Sequence, residues 1–202
     1  MARWATKNFP RYATGTLAAG LSLYFIYEGR ADPTILAASI FFLLICIIDT
    51  LYCKIPNSAN LLLLLAGMGL HLASTGTSGL LFSTFGLLTG LALLLIPYLL
   101  GGMGAGDVKA LAALGALLGP AAVFQVFLYM GLIGGVLAIF HYALSSNLQT
   151  KCLAWVQALK AFLYTRSIQT LQPTGPTEVL RFPYASAIAF GFFSYVNWGD
   201  LL

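Results

Sequence analysis

Charge is scarce in this sequence. Only 8% of its 202 residues are Asp, Glu, Lys or Arg, against about 25% in an ordinary soluble domain. A chain so poor in charge has too little material for a water-facing surface, which argues against a soluble globular protein. Cysteine is scarce as well. Cys46, Cys53 and Cys152 form no CxxC pair and no zinc spacing, and an odd count argues against a disulfide framework. Cys46 and Cys53 read as small apolar packing residues, and neither a metal site nor a cofactor is indicated. Basic clusters are missing too. The net charge of +4 comes from residues scattered singly, which gives no footing for nucleic acid and suits topology determinants of a membrane protein. No nucleophilic serine or cysteine constellation is present, and no internal repeat.

What the sequence has instead is apolar length. Hydrophobic residues make up 59% of it, the mean hydropathy is +0.88, and the apolar residues fall in long blocks divided by short polar clusters. This is the pattern of an all-α polytopic membrane protein, in which about 20 apolar residues cross the hydrocarbon. About six spans are expected: Tyr12 to Tyr27, Pro33 to Tyr52, Ser58 to Ala73, Leu80 to Leu100, a region from Val108 to Leu144, and Tyr184 to Trp198. The fifth region is too long for one span and is broken at Gly119-Pro120. Its first part is expected as a short helix, with a full span beginning at Ala121. The N-terminal block lacks a small-x-small cleavage site and reads as a mature span. The whole chain, 1–202, reads as one membrane-embedded domain. Residues 146–183 form a cytoplasmic loop whose Leu148, Cys152, Trp155, Val156, Leu159, Phe162 and Leu163 share one helical face, as in a helix lying in the interface.

Lysine and arginine orient this arrangement. Arg3, Lys7 and Arg11 precede the first span, which predicts a cytoplasmic N-terminus, and every basic residue except Arg30 then falls on the same side. His71 and His141 fall near predicted membrane boundaries and read as interfacial residues. The glycine pairs Gly86/Gly90, Gly115/Gly119 and Gly131/Gly135 have the spacing of close helix packing.

Of six acidic residues, four lie in loops or at the C-terminal edge. Only Asp49 and Asp107 remain at membrane depth, where a charge is costly and functional. Asp49 ends an apolar run five residues before Lys54, and Asp107 follows the glycines of "GGMGAGDVKA". Both therefore belong to cytoplasmic helix ends. Asp107 is also well placed to be the N-cap of a helix starting at Val108, and Lys109 to snorkel toward phosphates. Two carboxyls at one depth suit acid–base chemistry on water, one acid protonated and one ionised. Among isoleucines and leucines Asp49 is expected to keep the proton at rest. Beside the N–H groups of a helix start Asp107 is expected to be the anion.

Three motifs then carry a resemblance. "GAGDVK" (Gly104 to Lys109) resembles the GxGD motif of membrane aspartyl proteases. "DTLYCKIPN" (Asp49 to Asn57) resembles the first-aspartate motif of type IV prepilin peptidases, and "FPYASAIAFG" (Phe182 to Gly191) the segment opening that family's last span. The resemblance implies an aspartic endopeptidase of the bacterial inner membrane, with Asp49 and Asp107 as its catalytic pair. It cuts prepilins or pseudopilins after the glycine that ends a short leader. Gly104 and Gly106 would let loop and substrate backbone approach closely, and Lys109, Pro56 and Asn57 would help to shape the site. The partners implied are such substrates and the lipid bilayer, and no nucleic acid. Larger members carry an N-terminal domain with paired cysteines that methylates the product. This chain has neither and resembles the small, peptidase-only form of tight-adherence (Flp-type) pilus systems. Two other readings use the same carboxyls. A presenilin-like protease would cut within a transmembrane helix, but it usually has Tyr before its first Asp, where Ile48 stands here. A proton- or cation-coupled transporter would bind ions there, but often shows repeats.

Overall fold

Asp32 and Pro33 show how the helices of this chain are set. Asp32 has extended backbone, and its carboxylate accepts the N–H groups of Thr34 at 2.8 Å and Ile35 at 3.4 Å. Pro33, which has no N–H to satisfy, takes the first helical position. The structure, a computed structural model, describes residues 2–28, 32–144 and 184–201, with side chains from 11 to 139 within the first two stretches. Among these residues there are seven helices and no strand: α1 (Ala2–Glu28), α2 (Pro33–Tyr52), α3 (Asn57–Thr75), α4 (Thr77–Leu99), α5 (Ala105–Leu118), α6 (Pro120–Leu144) and α7 (Tyr184–Trp198). The interfacial helix expected within 146–183 lies outside the described residues. Two compact units divide the chain, one of residues 1–135 with 183–202 and one of 136–182. The first unit carries both Asp49 and Asp107.

Among the described residues four helices are long and apolar enough to cross a membrane: α2, α3, α4 and α6 over Pro120–Ile139. Their outer faces carry large apolar side chains that water would not tolerate, such as Leu62 and Ile96 at 68% exposure and Ile139 at 71%. The chain is thus an all-helical membrane protein. α7, with 15 residues, extends only ~22 Å. α1 has 27 residues, but Arg3, Lys7 and Arg11 occupy its first half.

The expected break between Gly119 and Pro120 is present. Gly119 has φ 86°, its N–H closes α5 on the Gly115 carbonyl at 2.8 Å, and Pro120 opens α6. α5 is therefore a short, central helix. It packs on α3 and α4 and touches α2 and α7, and all of its residues from Asp107 to Leu117 are buried except Lys109. A helix can sit so deep only where its neighbours yield space. A Cβ on Gly86 of α4 would collide with the Gly115 carbonyl of α5, and one on Gly67 of α3 would lie 2.7 Å from the Leu117 nitrogen. Such backbone contact supplies dispersion where lipid removes the hydrophobic incentive. Gly131 and Gly135, of equal spacing, would have nothing among the described residues within 4 Å of an added Cβ.

Polar groups finish the α3–α4–α5 unit. His71 Nε2 meets the Leu117 carbonyl at 2.9 Å, one of the carbonyls that the end of α5 leaves unpaired, and the Ser83 hydroxyl donates to Ala116 at 2.7 Å. His71, expected as an interfacial residue, thus joins two helices. On the other flank α1, α2 and α7 meet through phenylalanine: Phe25 stacks on Phe193 at 4.7 Å, and Phe42 lies against Phe192 at 5.4 Å.

Candidate active site

At one end of this bundle the last turn of α2 faces the first turns of α3, α5 and α7. Asp49 lies in that last turn with 7% of its surface exposed. The helix stops at Cys53, whose left-handed backbone, φ 52°, directs its N–H to the Asp49 carbonyl at 2.9 Å. A second donor reaches the same carbonyl: Arg11 Nη2 from α1, at 3.4 Å. The Asp49 carboxyl itself is acted on by the backbone N–H of Ala185, in the first turn of α7. Its Oδ2 is buried and has no hydrogen-bond partner among the described residues.

Asp107 is 9% exposed. It is not the N-cap of a helix beginning at Val108, as its sequence position suggested. The helix begins at Ala105, Gly104 is the N-cap, and Asp107 is the third helical residue. Its Oδ2 accepts the Gly104 N–H at 3.1 Å, while the Gly104 carbonyl accepts the Asp107 N–H, also at 3.1 Å. Glycine has no side chain with which to cap, so an acid three residues on performs the reciprocal half of a capping box. Gly106 serves the loop before α3: a Cβ there would lie 3.2 Å from the Ile55 Cβ.

The remaining sequence-predicted residues line the same end. Pro56, with φ −65°, is the N-cap of α3, and Asn57 is its first residue. The Asn57 Oδ1 accepts from Lys109 Nζ at 3.1 Å, so Lys109 ties α5 to α3 rather than reaching outward alone. Sequence reasoning missed four others. Asn60, 5% exposed, donates to the Gly106 carbonyl at 3.3 Å. The Tyr184 hydroxyl donates to the Gly102 carbonyl in the glycine loop at 3.1 Å. Ala185 and Arg11 both act on Asp49. Tyr184 and Ala185 stand in the "FPYASAIAFG" segment, so a signal for them existed. Arg11 read as a topology determinant, and Asn60 as part of an apolar span.

The electrostatics differ from the expectation for Asp107. Burial pushes its carboxyl up to about 7, the Gly104 N–H opposes that, and the charge of Asp49 raises it further. Desolvation thus outweighs the helix start that was expected to hold it as the anion. The influence of Asp49 on Asp107 also shows that α2 and α5 bring the two acids within electrostatic reach, although 58 residues (107 minus 49) separate them in sequence.

A model of the type IV leader peptidase family matches residues 36–139, a stretch holding both carboxyls, α3, α4 and all of α5. No curated protein and no solved structure matches the chain.

Proposed function

The chain belongs to the type IV leader peptidase family, and on that premise we propose that it is an aspartic endopeptidase with Asp49 and Asp107 as its catalytic pair. Its substrates are prepilins or pseudopilins, cut after the glycine ending their leader at the cytoplasmic face of the bacterial inner membrane, with the N-terminus of the enzyme on that face. With no CxxC pair in the sequence, the product is not methylated by this chain.

One observation carries the reading: two buried carboxyls from separate helices lie within electrostatic reach of one another at one end of the bundle, each served by a backbone N–H. A working pair holds one proton. Burial keeps that proton on Asp107 up to about pH 7, and Arg11 gives the charge on Asp49 a counter-ion. These are the reverse of the roles expected from the sequence. Asp49 takes a proton from a water molecule as its oxygen attacks the scissile carbonyl carbon, and Asp107 protonates the carbonyl oxygen. The tetrahedral intermediate collapses and the C–N bond breaks; the proton taken from water passes from Asp49 to the leaving nitrogen, and the former carbonyl oxygen returns its proton to Asp107 as the carbonyl re-forms. The unpaired Asp49 Oδ2 is the acceptor that such a water needs.

The test is cleavage by the reconstituted protein of a helix preceded by a glycine-ending leader, with products located by mass spectrometry. Wild type should cut directly after the glycine. Asp49→Asn and Asp107→Asn should each lose at least about 10³-fold in rate, since neither acid substitutes for the other. A cut within the helix would identify an intramembrane protease instead, and no cut at all would favour ion transport.

A further inference from the structure

Arg11 lies outside the residues 36–139 that the family model matches, so family membership assigns it nothing. Its placement is unusual for a residue that only fixes topology. The guanidinium leaves α1, reaches across to α2 and donates through Nη2 to the main-chain carbonyl of Asp49, 38 residues away. Its Nε is buried without a hydrogen-bond partner among the described residues. Burying part of a guanidinium is costly unless charge compensates it, and Asp49 is the acid on which it acts. The helix that carries it is fixed in register. Gly15, one turn further along α1, lies so close to Thr50 that any Cβ would collide with the Thr50 hydroxyl, which is itself held by the Cys46 carbonyl at 2.6 Å.

Resting on the proposed dyad, we propose that Arg11 is a positioning residue for Asp49, holding the last turn of α2 in place through its carbonyl and serving as counter-ion to the negative charge that the pair carries during hydrolysis. The groups facing Asp49 are Arg11 from α1, Asp107 from α5, the Ala185 N–H from α7 and the Cys46 thiol on its own helix. Arg11 is the cation of that set. It does not touch the substrate's reacting atoms. It acts through Asp49 alone.

The sign of its effect is set by charge. Asp107 holds its proton below about 7, so cleavage by wild type should fall as pH rises through that value and the pair becomes doubly negative. A nearby cation favours each added negative charge. Its removal therefore moves both limbs of the pH–rate profile to higher pH, by roughly half a unit or more.

Steady-state cleavage of the leader substrate, measured across pH for wild type, Arg11→Lys and Arg11→Gln, tests this. Arg11→Gln should lower kcat about tenfold or more with KM nearly unchanged and shift both limbs upward. Arg11→Lys keeps the charge without the fork, so it should leave the limbs in place and recover much of kcat. Rates are taken per folded protein, measured by thermal melting in the same detergent. Wild-type kcat and limbs in Arg11→Gln would overturn the role of Arg11 while leaving the dyad intact. So would a loss in both variants with unmoved limbs, the mark of a purely structural arginine. If wild type itself does not cut, the dyad reading fails and this one with it.

Discussion

The two acids stand on two differently built groups of helices. Asp107 belongs to α5, which α3 and α4 enclose through glycine, backbone against backbone. Asp49 belongs to α2, whose Phe42 packs on the phenylalanine rings of α7, where Phe25 of α1 also stacks, and whose Thr50 meets Gly15 of α1. Lipid offers no hydrophobic reward for bringing helices together, so each group must be held by close packing. One achieves it by having no side chains at the contact, the other by large rings gathered on α7 together with a glycine approach of α1 to α2 at Gly15. The first has no room for an added atom. The second has no atoms to spare.

The sharpest test of that contrast is to hollow out the phenylalanine group. Phe42 is fully buried, with the rings of Phe41, Phe192 and Phe193 between 5.2 and 5.9 Å of it or of one another. Phe42→Ala leaves a hole between α2 and α7, and should cost about 3–5 kcal/mol, read as a lower unfolding midpoint in detergent. Phe42→Leu should cost less than half of that. Equal effects from the two variants would mean that the rings do not pack as described.

Overfilling the glycine group should be the next largest effect. Gly86→Ala puts a methyl into the Gly115 carbonyl, forces α4 away from α5, and should cost about 1–3 kcal/mol despite alanine's better helix propensity. Gly69→Ala is its control. That glycine lies on exposed α3 surface with nothing within 4 Å of the added carbon, and the variant should be as stable as wild type or slightly more so. A destabilised Gly69→Ala would show that glycine is needed for backbone freedom rather than for contact.

This difference explains which parts of the molecule the sequence disclosed. Long apolar runs announced α2, α3 and α4, and Gly119-Pro120 announced the boundary between α5 and α6, because apolar length and backbone chemistry are local properties. Gly86/Gly90 and Gly131/Gly135 look alike in sequence, yet among the described residues the first pair faces a neighbouring backbone and the second does not. Spacing records which residues share a face, not what that face meets. The phenylalanine cluster was invisible for a related reason: in helices apolar all round, no period distinguishes the side toward protein from the side toward lipid. Asp49 and Asp107 stood out because charge is rare here. The start of α5 was misplaced by three residues because an acid next to glycines reads as a cap, whereas it reaches back to the cap position from inside the helix. Arg11 escaped notice because a basic residue ahead of the first apolar run has a sufficient explanation in topology.

The smallest expected effect lies on the rim of the glycine group. Lys109 is exposed, and its bond to Asn57 links the starts of α5 and α3. An exposed link of this kind exchanges one solvated arrangement for another, while α3 and α5 already touch through Gly67 and the Ala116–Leu117 backbone. Lys109→Met should therefore change stability by no more than about 0.5 kcal/mol. If glycine packing alone sets the position of Asp107, kcat should be equally indifferent, since Asp107 is held by the Gly104 amide and not by Lys109. A stable Lys109→Met enzyme that nevertheless binds substrate poorly, with KM raised and kcat kept, would place Lys109 on the path of the incoming peptide. The rim would then belong to recognition, and the glycine packing beneath it to holding Asp107.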